Sequence, residues 1–326
     1  MGSSVKKLRA AVIGTGYLGH FHVQKYAALE DVELAAVVDV DANKAQGMAA
    51  RFHTEGFTDY REILDQVDMV SVVTPPEAHY SVARDCLGAG LHVLVEKPMT
   101  ETVAQAEHLI ALARERGLVL QVGHLERFNP AVLALRGTLT NPLFIESHRI
   151  APFKVRGTEV SVVMDLMIHD IDIILSLVSS PITAIRPVGV PVLSDEIDIA
   201  HARLEFANGC IANVTASRVS RSAMRKIRLF QPDAYISIDY TENTIGIYRR
   251  QPDEGGQGRY RIVAEQKSFE KTDALMMEIR AFVDAVRNGM PPVVTGEDGK
   301  RALEVALAIV GSIKSKPGFA HWEEEP

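Results

Sequence analysis

The chain has 326 residues, 47% of them apolar and 24% charged, an ordinary balance for a folded protein with room for two cores. A formal net charge of −7 leaves no basic excess to neutralise phosphates and argues against a general nucleic-acid binder. The N-terminal residues lack the apolar core of a leader, and the longest apolar run, Ala302 to Ile313, is interrupted by Glu304, so the expectation is a cytoplasmic protein with no membrane partner.

Leu8 to Ile13 reads as a short buried strand, and Gly14-Thr15-Gly16-Tyr17-Leu18-Gly19 follows it directly, opening a helix to about Leu29. Alone, such a glycine pattern is weak. Here its context is the one dinucleotide binding requires: Gly14 for a tight turn, Gly16 for close backbone approach to a pyrophosphate, Gly19 for helix–strand packing, with Tyr17 and Leu18 on the same loop. A second strand, Val32 to Val38, ends in Asp39, placed to accept hydrogen bonds from an adenosine ribose. A carboxylate repels a ribose phosphate, and no arginine follows it in Val40-Asp41-Ala42, so NAD is expected over NADP. Lys44, on a helix from Asp41 to Arg51, is the residue that opposes this preference; its ordinary reading is a solvated surface position.

The alternation continues with a helical piece near Tyr60 to Leu64, a strand Met69 to Val73, a helix Glu77 to Ala89, a strand running into Lys97, a helix Thr102 to Arg116 and a strand Leu118 to Val122. Strands separated by helices imply a doubly wound parallel sheet of Rossmann type. Thr74-Pro75-Pro76-x-x-His79 ends one strand and Glu96-Lys97-Pro98 ends the next, so Thr74, Pro75, His79, Glu96 and Lys97 are candidates to line one crevice and contact the cofactor. The bland alternatives are a first-turn histidine on a helix and a solvated strand-end lysine.

Gly123 to Pro130 marks a crossing between domains, expected as 1–123 and 124–326. Beyond it, segments at Leu143 to Arg149, Ile197 to Phe206, Cys210 to Val219, Lys226 to Phe230, Tyr235 to Asp239 and Thr244 to Arg249 suggest an open, mostly antiparallel sheet. Ala200, Ala202, Leu204 and Phe206 alternate with polar residues, and Asn208-Gly209 is a hairpin signal. One helix, Met164 to Ser176, is apolar except for Asp170 and a stripe of Asp165, His169, Asp172 and Ser176. A stripe facing water would more naturally carry Lys and Glu, so a cavity is the preferred reading. Asp165 and His169, one turn apart, can then act as a carboxylate-charged general base for an alcohol proton. Cys86 and Cys210 lack Cys-x-x-Cys spacing and read as buried packing residues, and the histidines never pair with cysteines, so no metal site is expected.

Together the glycine fingerprint, Thr74-Pro75-Pro76, Glu96-Lys97-Pro98, Arg127-Phe128-x-Pro130, Asp165-x-x-x-His169 and the closing Pro292-x-Val294-x-Gly296-Glu297-Asp298-Gly299 resemble the glucose-fructose oxidoreductase, inositol dehydrogenase and rhizopine catabolism family, Gfo/Idh/MocA. The resemblance implies a pyridine-nucleotide oxidoreductase acting on a sugar or cyclic polyol, with Lys97, Asp165 and His169 catalytic and the second sheet serving as the interface of a homodimer or homotetramer. Residues Val122 to Pro130 and His169-Asp170-Ile171-Asp172 are similar to dehydrogenases that oxidise C3 of UDP-N-acetyl sugars, although His124 stands where many family members carry an aromatic residue. On that reading His169 takes the hydroxyl proton, Asp165 orients the imidazole, and Lys97 stabilises the alkoxide. His124 is a candidate substrate contact. Arg127, Arg149 and Arg156 are candidate forks for a substrate phosphate, or else ordinary surface charge. The rivals are a dehydrogenase of a free polyol and an NAD-sensing protein without turnover.

Overall fold

The computed structural model describes residues 6–135, 137–154, 157–252 and 260–316. Contacts divide the chain into Met1–Leu125 with Asp273–Leu303, and Glu126–Thr272 with Glu304–Pro326.

In the first unit, β1 (Leu8–Ile13), α1 (Tyr17–Ala27), β2 (Val32–Val38), α2 (Ala42–Phe52), β3 (Glu55–Phe57), β4 (Met69–Val72), α3 (Pro76–Gly88), β5 (His92–Glu96), α4 (Val103–Glu115) and β6 (Leu120–Gly123) follow in order. The strands form one parallel sheet in the order β3-β2-β1-β4-β5-β6, the Rossmann order, whose direction of winding reverses beside β1. All residues of β4 and β6 are buried, as expected when helices cover both faces of a parallel sheet. Helix starts follow local chemistry. Asp41 accepts from the Asn43 amide at 2.9 Å, Thr102 and Gln105 form a capping box on α4, and Pro76 opens α3 where its missing N–H costs nothing. The three-residue β3 was not anticipated, being too short to show a period.

The second unit contains α5 (Pro130–Leu133), β7 (Phe144–Pro152), a wide π-type turn (Val163–Met167) running into α6 (Ile168–Leu177), and strands β8 (Ile182–Val190), β9 (Ile199–Phe206), β10 (Ile211–Ser220), β11 (Met224–Gln231), β12 (Ala234–Asp239), β13 (Thr244–Pro252) and β14 (Tyr260–Ser268). They form a sheet in the order β14-β13-β12-β11-β7-β10-β9-β8, and among the described residues only the β7–β10 pairing is parallel. Ala200, Ala202, Leu204 and Phe206 face the core as their alternation requires. Across the opposite face Phe144, Phe230, Tyr235 and Tyr248 stand in direct register, with ring centroids 5.7, 5.0 and 5.4 Å apart. The two edge strands, β8 and β14, escaped the sequence reading. β14 is exposed along its whole length and has no buried period to read, and β8 carries Pro187 and Gly189.

α7 (Ala274–Asn288) returns to the first unit. Leu275, Ile279, Phe282 and Val283 on α7 share a core with Val23 and Tyr26 of α1. The expected assignment of 124–326 to a single second domain therefore differs from the contact division, which also falls inside α8 (Gly296–Lys314). The reason is hydrophobic: α7 carries an apolar stripe at helical spacing that completes the first core rather than the second.

Candidate active site

At the carboxyl end of β1 the three glycines do different work. Gly14 has φ +96°, and a Cβ there would lie 2.5 Å from the Val73 carbonyl oxygen; one at Gly19 would lie 1.9 Å from the Gly14 oxygen. At Gly16 a Cβ would meet no protein atom within 4 Å, so the space above this backbone is open to a ligand. Gly16 is also the N-cap of α1, and no side chain caps it, leaving the first-turn amides to receive an anion. Tyr17 is exposed, edge-on to Phe21, and Leu18 is half-buried beside it.

Asp39 accepts hydrogen bonds from the Thr15 amide and hydroxyl, each at 2.9 Å, and from the Asp41 amide at 3.0 Å. Burial pushes its carboxyl up, but these donors and Lys44 outweigh burial and hold it below the ordinary range, so it is ionised at neutral pH. A cavity of about 340 Å³ is lined by Gly14, Asp39, Thr74, Pro75, Tyr60 and Arg61 among others. Thr74 Oγ1 is buried with no hydrogen-bond partner in the structure. The open glycine cradle, uncapped helix start, anionic ribose acceptor and orphaned hydroxyl together fit a nicotinamide dinucleotide. Arg61 was missed by the sequence reading. Its guanidinium lies 4.7 Å from the Tyr60 ring centroid and 3.2 Å from Asp59, placing a cation in the cavity that holds Asp39. No sequence period flags a residue in so short a helical turn.

Lys97, half-buried, follows β5 directly. Glu96 turns inward, 8% exposed, with His22 Nε2 at 3.1 Å and the Lys97 amide donating at 3.3 Å. Burial pushes Glu96 up, but the His22 hydrogen bond and the charges of His22, His79 and Lys97 bring its carboxyl below the usual range. A direct contact of this carboxylate with a cofactor is therefore not what the geometry offers. His79 differs likewise from the expected ligand: at 1% exposure, its Nδ1 meets the Pro98 oxygen at 2.8 Å and its Nε2 the Thr74 oxygen at 2.9 Å. It staples the ends of two strands. His124 is buried just beyond β6, its amide donating to the Val122 oxygen at 2.8 Å.

In the second unit, the expected regular helix from Met164 begins instead with the wide turn at Val163–Met167, a distortion frequent at functional sites. Asp165 lies in that turn and His169 in the first turn of α6, and both are partly exposed, His169 between the buried Ile168 and Asp170. The expected polar stripe does not continue past them. Asp172 is 1% exposed and takes a bidentate grip from Arg127 at 2.6 and 2.8 Å, while Ser176 donates back to the Ile173 oxygen at 2.6 Å. Asp170, also 1% exposed, is held by Arg149 at 2.6 and 3.3 Å, and Arg149 reaches Glu126 at 2.7 Å. Burial would lower the Arg149 pKa, but the Asp170 and Glu126 carboxylates more than offset it and raise it. Arg149 and Arg127 are thus internal clamps on α6 rather than open phosphate forks. Arg156 lies outside the described residues. The loop leading into the wide turn is fixed by Arg218, 5% exposed, which donates to the carbonyls of Gly157 and Val160 and pairs with Asp198 at 3.5 Å; nothing in its strand alternation announced this.

Comparison with known proteins gives the family. Residues 8–124 match the Gfo/Idh/MocA model described as an oxidoreductase family with an NAD-binding Rossmann fold, and residues 149–318 match that family's C-terminal alpha/beta domain. The chain is 41% identical over 307 residues to the UDP-N-acetylglucosamine 3-dehydrogenase of Acidithiobacillus ferrooxidans, covering 93% of this chain and 96% of the relative. It is 27% identical to the myo-inositol 2-dehydrogenase of Thermotoga maritima, covering 95% of this chain and 97% of the relative. A solved structure of the Acidithiobacillus ferrooxidans enzyme superposes with a TM-score of 0.88 at 39% identity, covering 95% of this chain and 98% of that one. Among the described residues no helix is long and apolar enough to cross a membrane. With both family models matched in sequence order, the chain belongs to the Gfo/Idh/MocA oxidoreductase family and is a nicotinamide-dependent dehydrogenase acting on alcohol groups.

Proposed function

We propose that this enzyme oxidises the C3 hydroxyl of a UDP-N-acetyl sugar, with UDP-N-acetylglucosamine the leading candidate and NAD the preferred cofactor. The observation that carries this reading is the full-length relative at 41% identity, which acts on that nucleotide sugar. The bound nicotinamide supplies the acceptor for the hydrogen lost from carbon. His169 takes the hydroxyl proton, Asp165 orients the imidazole and raises its basicity, and the Lys97 ammonium stabilises the charge that develops on oxygen. Arg156 and His124 remain the proposed contacts to diphosphate and sugar. A diphosphate anchor lets binding far from the reacting carbon align the C3 hydrogen.

NAD is preferred because the ionised Asp39 repels a ribose phosphate, although Arg61 in the same cavity opposes it. One panel of initial rates tests both points. UDP-N-acetylglucosamine should exceed free N-acetylglucosamine in kcat/KM by roughly 10²-fold or more, the scale on which lost alignment acts, and NAD should outperform NADP, with Asp39→Ala narrowing that margin. A free polyol such as inositol surpassing every nucleotide sugar would overturn the substrate. An unchanged cofactor preference in Asp39→Ala would overturn the role of Asp39.

The outer face of the second sheet, with its aromatic ladder, is the proposed interface of a homodimer or homotetramer. Aromatic side chains aligned on an open sheet are the kind of surface a second copy covers. Sedimentation should show an oligomer that Tyr235→Arg dissociates; a monomer before substitution would remove the proposal.

A further inference from the structure

Behind Lys97, on one face of the first sheet, the structure gathers polar groups that the chemistry above does not use. α1 contributes His22 and, one turn on, Tyr26, whose hydroxyl bonds Ser71 of β4 at 2.9 Å. β5 contributes Glu96. Glu96 lies over Gly123 of the adjacent β6, where a Cβ would come within 2.8 Å of the carboxylate, so that strand must carry glycine there. Two residues earlier on β6, Gln121 donates from Nε2 to the backbone oxygen of Glu278 at 3.1 Å. Glu278 is on α7, at a position of its apolar stripe, and is 0% exposed. Both of its carboxylate oxygens, Gln121 Oε1 and His22 Nδ1 are buried without a hydrogen-bond partner in the structure.

Glu96 has the means to be ionised: the His22 ring, the Lys97 amide and the nearby charges of His79 and Lys97. Glu278 has none. A carboxylate with neither a cation nor a donor cannot stay charged in such a place, and two adjacent buried carboxyl groups cannot both ionise. Burial and the field of Glu96 push Glu278 well above the ordinary carboxyl range, in the same direction as the geometry.

We propose that Glu278 is a buried neutral acid whose proton holds the Glu96–Glu278 pair to a single negative charge, and that Glu278 is thereby a positioning residue for Lys97 through Glu96. This rests on the proposed role of Lys97 in the reaction. As a neutral dipole rather than a second buried charge, Glu278 leaves the carboxylate directly behind the Lys97 backbone ionised. His22 latches the same carboxylate from α1.

Two measurements test this, and one is independent of turnover. A carboxyl whose pKa is raised on folding contributes stability that is fully present below its unfolded value and is lost as pH rises toward the folded value. Glu278→Gln, which keeps the shape and a donor but cannot ionise, should therefore gain on wild type in urea unfolding as pH rises from about 5 to 8, by about tenfold in the unfolding constant per pH unit. Parallel pH dependence of the two proteins overturns the neutral acid. The second measurement is the pH profile of kcat. Glu278→Leu replaces the neutral carboxyl dipole near Glu96 with apolar atoms, so Glu96 protonates more readily and the acid limb should move up by about one unit, whereas Glu278→Gln should restore the wild-type profile. If Leu and Gln give the same profile at matched folding stability, the positioning role fails. If no alcohol is oxidised by any variant or by wild type, the proposed function fails, and the unfolding series still decides the protonation of Glu278.

Discussion

Replacing His169 with alanine should lower kcat by roughly 10²- to 10⁴-fold, the usual cost of losing a general base, while the cofactor still binds. The cofactor cradle of glycines, Asp39 and Thr74 belongs entirely to the first unit, and His169 to the second, so the substitution leaves the groups around the dinucleotide untouched. Asp165→Asn should keep the wide turn but remove the carboxylate that orients the imidazole, so its loss should be smaller than that of His169→Ala. Lys97→Ala should be inactive on the scale of His169→Ala, because the developing oxyanion loses its cation. Cofactor titration by calorimetry and initial rates from about pH 6 to 9 separate binding from chemistry. Near-normal turnover of His169→Ala across that range would move the base to Lys97. His79 would not replace it, since both its ring nitrogens are engaged with backbone oxygens.

Much of the first unit was legible because its signals are local. A strand, a glycine turn and a helix start are contiguous, and β1 and β2 have the same bounds by pattern and by structure. The second sheet was legible where one face is buried, as in β9, and illegible at β14, which has no buried face to impose a period. In the site the sequence showed three carboxylates on one short stretch but not their partners. Asp165, Asp170 and Asp172 lie within eight residues of one another, and nothing local says that the last two are consumed by Arg149 and Arg127. Those pairings depend on how β7 and the Glu126–Arg127 segment pack against α6, a tertiary fact. Glu278 was readable in principle. A lone acid at position 278, between the core positions Leu275, Ile279 and Phe282, breaks the apolar stripe of α7. Its partner Glu96 is far away in sequence and could not be paired with it by pattern.

Arg149→Met should destabilise the protein by about 3–5 kcal/mol, because removing one member of a buried ion pair strands the charge it neutralised. Arg149 is 3% exposed, and its guanidinium meets Asp170 at 2.6 Å and Glu126 at 2.7 Å, with the Tyr240 ring centroid 5.6 Å away. Methionine fills much of the volume but leaves the Asp170 carboxylate buried beside apolar atoms. The double change Arg149→Met with Asp170→Asn should recover part of the loss, since both members of the pair are then neutral and only the hydrogen bonds are missing. Urea unfolding of the four corners of this cycle gives the coupling directly. The rival role, a phosphate fork for the substrate, makes the opposite forecast. Arg149→Met would then raise KM for the nucleotide sugar, leave KM for the free sugar unchanged, and cost little stability. A KM effect confined to the nucleotide sugar, with the unfolding midpoint unmoved, would return Arg149 to the substrate. A large loss of stability that Asp170→Asn partly repairs would keep it as the clamp that holds α6, and with it His169, in place.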